Sequence, residues 1–472
     1  MEDLLPILAP GALSLGALLL LRGSLVGGCL AVLLSVCCFG YELLHFDVGP
    51  LPLTIDRIAL GLVIAMYVWQ RSLRRTDPKP VTRADWLTIG FVGWLLVRML
   101  TSDWQTYHYP KGFDGPLWRY IGGYFTPLVL YWVAKQATWT ERTARLVQTG
   151  FVVFGGYLAF TAVCEIAQVW SLVWPKYIAD PKIGLHFGRA RGPMVHGVTF
   201  GHYMSVCLLA GYVWACASGK WGRTAIIVAL PAFALGVYLS YTRSAWIGAA
   251  LGICTVLVCT LQGRTRNMVL GGMAMVGLLV GLTQMDKIVG FQREQSAADT
   301  AESASMRVGF AYVSWLMFQD RPLEGFGFGR FPVDKLPYLD DRSTDINLEC
   351  LRAYVHHNTF LSILVDTGLI GLALFVAMLA YWMIEAWRTV RSAATPRWAK
   401  LQCVLLLGAV PVYAAQLLFH ELSYTPMDNS LVFFLAGCSS ALAPLASAAG
   451  MRRQATPQTS PVTNGLTPAG AV

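Results

Sequence analysis

Apolar runs long enough to cross a lipid bilayer recur along almost the whole chain, and no other feature restricts its fold so tightly. A crossing helix needs roughly 20 residues to span about 30 Å of hydrocarbon. Runs near that length occupy residues 4–21, 24–44, 53–70, 85–100, 117–134, 146–170, 198–217, 225–239, 245–261, 268–282, 360–384, 401–419 and 431–449. Lipid offers backbone amides no water, so each run must satisfy its own hydrogen bonds and reads as helix. Charged residues make up only 13% of the 472, about half the roughly 25% of soluble domains. The expected fold is all-α: a polytopic integral membrane protein with about 12–13 transmembrane helices and one long loop that itself contains helices.

Sidedness follows from the short-loop cations, which are retained on the cytoplasmic side. Arg71, Arg74, Arg75, Lys79 and Arg83 form one basic loop, Lys135, Arg142 and Arg145 the next, and Lys220 with Arg223 a third. Arg264 with Arg266, then Arg388, Arg391, Arg397 and Lys400, then Arg452 with Arg453 continue the series. The loops between them, including residues 171–197 and 285–356, then face the other way. This divides the chain into N-terminal transmembrane helices at 1–284, a periplasmic loop domain at 285–356, C-terminal transmembrane helices at 357–449 and a disordered cytoplasmic tail at 450–472. The leading apolar run follows Glu2 and Asp3 and reads as retained. The net charge of +9 orients loops or meets anions, so no nucleic-acid partner is expected. The 11 cysteines lie almost wholly inside apolar runs, and no CxxC spacing accompanies them.

Three stretches on the outer side carry polar side chains suited to chemistry. The first, LHFGRARGPMVHGVTFGHY at residues 185–203, holds Arg189, Arg191, His196 and His202. A guanidinium at the membrane edge needs an anion, a carbonyl or water, so Arg191, and Arg243 at the start of a later span, are functional candidates; snorkelling to the interface is the plainer alternative. The second is the long loop, where SMRVGFAYVSWLMF at 305–318 has apolar residues at helical spacing and should pack on the membrane domain. The Gly series after Arg321 is a weak phosphate-loop pattern better read as a turn. In the third, VHHNTFL at 355–361, His356 and His357 precede Asn358 at a helix start, and imidazole accepts and returns protons near neutral pH. No HExxH or ExxH spacing accompanies these histidines, so a metal is not expected, nor is any other cofactor.

Three pieces together resemble the O-antigen ligase family of bacterial membrane enzymes: RARGPMVHGVTFG, the span start TRSAWIGAALG, and MRVGFAYVSWLMFQDRPLEGFGFGRF followed by HHNTFLSILVDTGLIG. The likeness covers roughly residues 185–374. It implies transfer of a glycan from an undecaprenyl diphosphate carrier to a glycan or lipid A core hydroxyl, on the periplasmic face of the inner membrane and without metal or nucleotide. By resemblance His357 takes the place of the essential loop histidine, and Arg191 and Arg243 those of two arginines that hold the diphosphate. Arg307 is a candidate either for the diphosphate or for packing the loop helix; Arg189, His196, His202 and Asn358 are substrate-binding candidates, with interfacial hydrogen bonding the plainer role for Arg189, His196 and His202. Preorganised guanidinium groups in a water-poor site stabilise the charge of a departing diphosphate strongly. A polysaccharide polymerase shares this scaffold and differs in acceptor. A solute or bicarbonate transporter is the competing class; it would call for broken helices or paired charges near mid-bilayer, and Asp56, Arg57 and Arg98 are the charges such a reading would use.

Overall fold

The computed structural model describes residues 23–39, 45–48, 51–76, 78–103, 115–289 and 297–445. The first expected span, at 4–21, and the expected tail lie outside these residues. The class is all-α, with one antiparallel hairpin, β1 (His45–Val48) and β2 (Leu51–Thr54), among the described residues. The helices of the first half are α1 (Leu25–Cys38), α2 (Ile55–Ser72), α3 (Arg83–Leu100), α4 (Pro116–Tyr120), α5 (Thr126–Gln136), α6 (Glu141–Ile166) and α7 (Gly197–Ala217). The second half contributes α8 (Lys220–Leu239), α9 (Arg243–Thr260), α10 (Gly263–Val289), α11 (Ala297–Asp320), α12 (Phe331–Asp334), α13 (Thr359–Arg391), α14 (Arg397–Phe419) and α15 (Pro426–Ser440). Six of these, α6, α7, α8, α9, α13 and α14, are long and apolar enough to cross a membrane. Other expected runs form helices that are shorter (α1, α5, α15) or carry charges near their ends (α2, α3).

Small residues let the spans approach closely, since between helices in lipid packing rather than water exclusion supplies the attraction. Gly248 and Gly252, one turn apart on α9, face α14: a Cβ on Gly252 would stand 2.9 Å from the Gly408 carbonyl oxygen. α4 and α5 are joined by a π-helical turn, Ile121–Phe125. Such a turn frees a carbonyl from the helical ladder, and here the Asn429 side chain on α15 donates to Gly123 O at 2.7 Å.

At one end of the bundle the basic loops come together. Arg397 donates to the Cys216 carbonyl at 2.9 Å, linking the α13–α14 and α7–α8 connections, and Arg145 reaches Ala217 O at 3.5 Å. Residues 185–196, 354–357 and 419–425 converge at the opposite end. The apolar face of α11 turns Phe310, Val313 and Met317 into a second core with Phe331, Leu339 and Leu351 of the loop and Val365 of α13, so the helix packs on a membrane-spanning helix, as expected, while closing a core of its own.

The Gly series explains how that loop is anchored. α13 is broken at Gly368, whose φ of 67° and ψ of −169° are open to glycine and strained for other residues. The turn after α11 fits into the break: Phe326 N donates to Val365 O (2.9 Å), Gly327 N to Asp366 O (2.8 Å) and Leu369 N to Pro322 O (2.9 Å). Arg98 of α3 clamps the turn from outside, its Nε donating to Glu324 O at 2.9 Å and a terminal nitrogen to Gly325 O at 3.2 Å. The amides that a phosphate would need are thus consumed by α13. The turn reading of this motif fits the geometry, and Arg98 serves as a brace for the loop.

Candidate active site

A cavity of about 560 Å³ opens where the loop domain meets the converging outer connections. Four chain segments build it. The α6–α7 connection supplies His186, Arg189 and His196; α11 supplies Met306 and Arg307; the end of the loop supplies Tyr354, His356 and His357; and the α14–α15 connection supplies His420, Glu421 and Tyr424. Residues more than 230 positions apart therefore face one chamber.

His357 owes its place to two local devices. Its neighbour His356 is buried and stacked on Phe331, with ring centroids 3.5 Å apart, so it belongs to the loop core. On the other side Asn358 caps α13: its Oδ1 accepts from Leu361 N (3.1 Å) and its Nδ2 donates to Leu418 O (3.0 Å). Both ends of that amide are used by the fold. Pinned between them, the His357 ring lies edge-on to Phe310 at 5.5 Å.

The electrostatics favour neutral imidazoles beside fixed positive charge. Burial, and then the Arg307 guanidinium, push the His357 pKa below the ordinary 6.5. His420 is pushed well below it by burial and then by His196, His357 and Arg307, while its Nε2 lies 3.1 Å from Ser244 Oγ. His196 is lowered by burial, against the pull of Asp428, with Arg189 lowering it further. Arg243 does not line the chamber; it sits beside it, next to Ser244 and close enough to Arg307 to lower that guanidinium's pKa after burial has done so.

Two expected site residues stand elsewhere. Arg191 is almost wholly buried behind the chamber and donates to the carbonyls of Ile183 (2.6 Å), Asp180 (2.7 Å) and Ile178 (2.8 Å), with its guanidinium 4.6 Å from the Phe187 ring centre. A guanidinium encircled by carbonyls organises its loop, and it does not point at a ligand in the chamber. His202 is buried within α7 and pairs with Asp428 at 2.7 Å, the same carboxylate accepting from Thr199 at 2.8 Å. Thr199 Oγ1 in turn lies 3.0 Å from His196 Nδ1, so His202 touches the chamber only through that chain.

Sequence reading missed Glu421, His420 and Arg119. Arg119 is buried under the chamber floor, donating to Ser362 (2.8 Å) and pairing with Asp366 (3.1 Å) and Glu421 (3.3 Å). Phe328 and Tyr424 cover its two sides at 4.8 and 4.7 Å. A lone arginine inside the apolar run 117–134 was the available signal, because an intramembrane charge calls for a named partner. Glu421 keeps one carboxylate oxygen on Arg119 and Ser423, while the other, Oε2, is buried with no hydrogen-bond partner.

The family model described as O-Antigen ligase, Wzy_C, matches residues 226–376. No curated protein matches the chain. The matched segment runs from within α8 to within α13, so it holds Arg243, Arg307, the Gly-rich turn and His357 but leaves out Arg189, His420 and Glu421.

Proposed function

The chain carries an O-antigen ligase domain across residues 226–376 and belongs to that family on this ground; from that premise we propose that it moves a polysaccharide from an undecaprenyl diphosphate carrier to a sugar hydroxyl by a single inverting displacement. The reaction needs no metal and takes place on the periplasmic face of the inner membrane. The observation that carries this reading is the chamber itself, where a neutral imidazole and two guanidinium groups meet at one end of a membrane bundle.

In the proposed step, His357 removes the acceptor hydroxyl proton as the oxygen attacks the anomeric carbon. The bond from that carbon to the carrier phosphate breaks, and the charge collects on the diphosphate. Arg307 and Arg189 line the chamber and hold this leaving group, with Arg243 adding its field from the rim. Guanidinium groups aimed where charge develops act most strongly in a water-poor site. Donor binding also primes the base. The Arg307 charge holds the His357 pKa down, and an anion that neutralises Arg307 lifts that restraint, so the imidazole becomes more basic once the donor is seated. Arg191 acts one layer back, fixing the loop that presents Arg189 and His196.

The test uses membranes containing the His357→Ala or Arg307→Ala protein, supplied with carrier-linked glycan. Both variants should insert as the parent does and lose transfer by at least about two orders of magnitude, the range expected of general acid–base catalysis. Transfer retained by His357→Ala removes the general base from the scheme.

A further inference from the structure

At the opposite end of the bundle, a second cavity of about 580 Å³ lies between α7, α8, α9 and α14. Three cations border it, Arg223, Arg397 and Lys400, and no Asp or Glu is among its lining residues. Arg397 donates to the Cys216 carbonyl at 2.9 Å, and Arg223 and Lys400 line the same cavity. This is the end where the basic loops gather, the cytoplasmic end on the positive-inside rule.

The cavity changes character with depth. Beyond the cations its wall is formed by Ile227, Leu230 and Val404. Tyr212 and Leu230 also border a wholly apolar crevice of about 120 Å³, which continues between α7, α8 and α9 past Leu208, Ile253 and Leu257. The two spaces share a wall, with charge at the bundle end and hydrocarbon toward its middle. A free anion would use only the first part, and a neutral lipid only the second. An anionic phosphate on an acyl chain uses both, and basic pockets between transmembrane helices at the cytoplasmic side suit such headgroups.

We propose that this cavity and crevice form one binding site for an anionic phospholipid of the inner leaflet, its phosphate on Arg223, Arg397 and Lys400 and a short segment of one acyl chain in the crevice beside Leu208 and Leu257. The site is separate from the transfer chamber and does not depend on the reaction assigned there.

The test is native mass spectrometry of the detergent-purified full chain incubated with an equimolar mixture of phosphatidylglycerol and phosphatidylcholine, with thermal unfolding in parallel. The wild-type protein should retain phosphatidylglycerol over phosphatidylcholine on the order of tenfold or more, given the attraction of several basic side chains for an anionic headgroup. Arg223→Gln with Lys400→Gln should bring the two lipids to parity without touching the Arg397–Cys216 hydrogen bond. Leu230→Trp, which fills the crevice and leaves every charge in place, should lower retention of both. Equal retention by the wild type, or a preference that survives the Arg223→Gln, Lys400→Gln protein, overturns the proposal. So does a thermal shift that inorganic phosphate alone reproduces and that Leu230→Trp leaves intact, since the site would then hold a free anion.

Discussion

Replacing Gly368 by Ala would test whether the loop domain is anchored through the break in α13. The backbone there occupies a region costing a side-chain-bearing residue about 1–3 kcal/mol. The new Cβ would also fall 2.1 Å from Leu323 O and 2.5 Å from Glu324 N. Those atoms are backbone, so the whole turn has to withdraw. Withdrawal breaks the amide bonds from Phe326, Gly327 and Leu369 described above, each worth about 1 kcal/mol net. The expected loss is therefore at least about 3 kcal/mol, where an unstrained helical Gly→Ala usually gains a fraction of a kcal/mol. The assay is thermal unfolding in detergent, with limited proteolysis of the loop. Gly90→Ala on α3, where nothing lies within 4 Å of the added methyl, serves as the control. A Gly368→Ala protein with the midpoint and cleavage pattern of that control would refute the anchoring argument.

The same geometry sets further outcomes. Transfer should fall as pH drops through a His357 pKa that lies below the ordinary imidazole range, because only the neutral ring accepts a proton; in Arg307→Gln, where a cause of that depression is gone, the acid limb of the pH–rate profile should move to higher pH. Arg307→Lys should lose transfer at an unchanged unfolding midpoint, whereas Arg191→Lys, which cannot reproduce three carbonyl contacts from one planar group, should lower the midpoint and the activity together. Arg119→Gln should destabilise the protein by about 3–5 kcal/mol, since it strands two buried carboxylates. Adding Asp366→Asn should restore part of that loss, and a double variant no more stable than the single one would argue against the pairing.

How much of this was readable in advance depended on the length scale of each feature. Runs of apolar residues define spans because the bilayer imposes one thickness, so α6, α7, α9, α13 and α14 lie close to the stretches expected of them. His357 could be singled out because a His-His-Asn run at a helix start is local, and the ring lines the chamber. Arg191 shows what the same reasoning leaves open a few positions away: a guanidinium is equally served by a diphosphate or by backbone carbonyls, and the path of residues 178–183 brings carbonyls to it. The break at Gly368 was invisible because its cause is a turn some 45 residues earlier, and glycine in an apolar run carries no sign of which backbone will press against it. Glu421 and His420 were passed over for a related reason. They occupy a short connection whose importance comes wholly from meeting α11 and the loop end in space.

The cavity that holds His357 lies on a seam between two separately packed apolar cores, one in the bundle and one in the loop. Parting the walls along such a seam disturbs neither interior. Under the proposed reaction, a polymer far longer than the chamber would not need to be swallowed whole: its reacting end would lodge in the gap while the remaining sugars trailed outside and the lipid carrier stayed in the membrane. The room available at the joint would then set no limit on the length of the polymer that the proposed transfer handles.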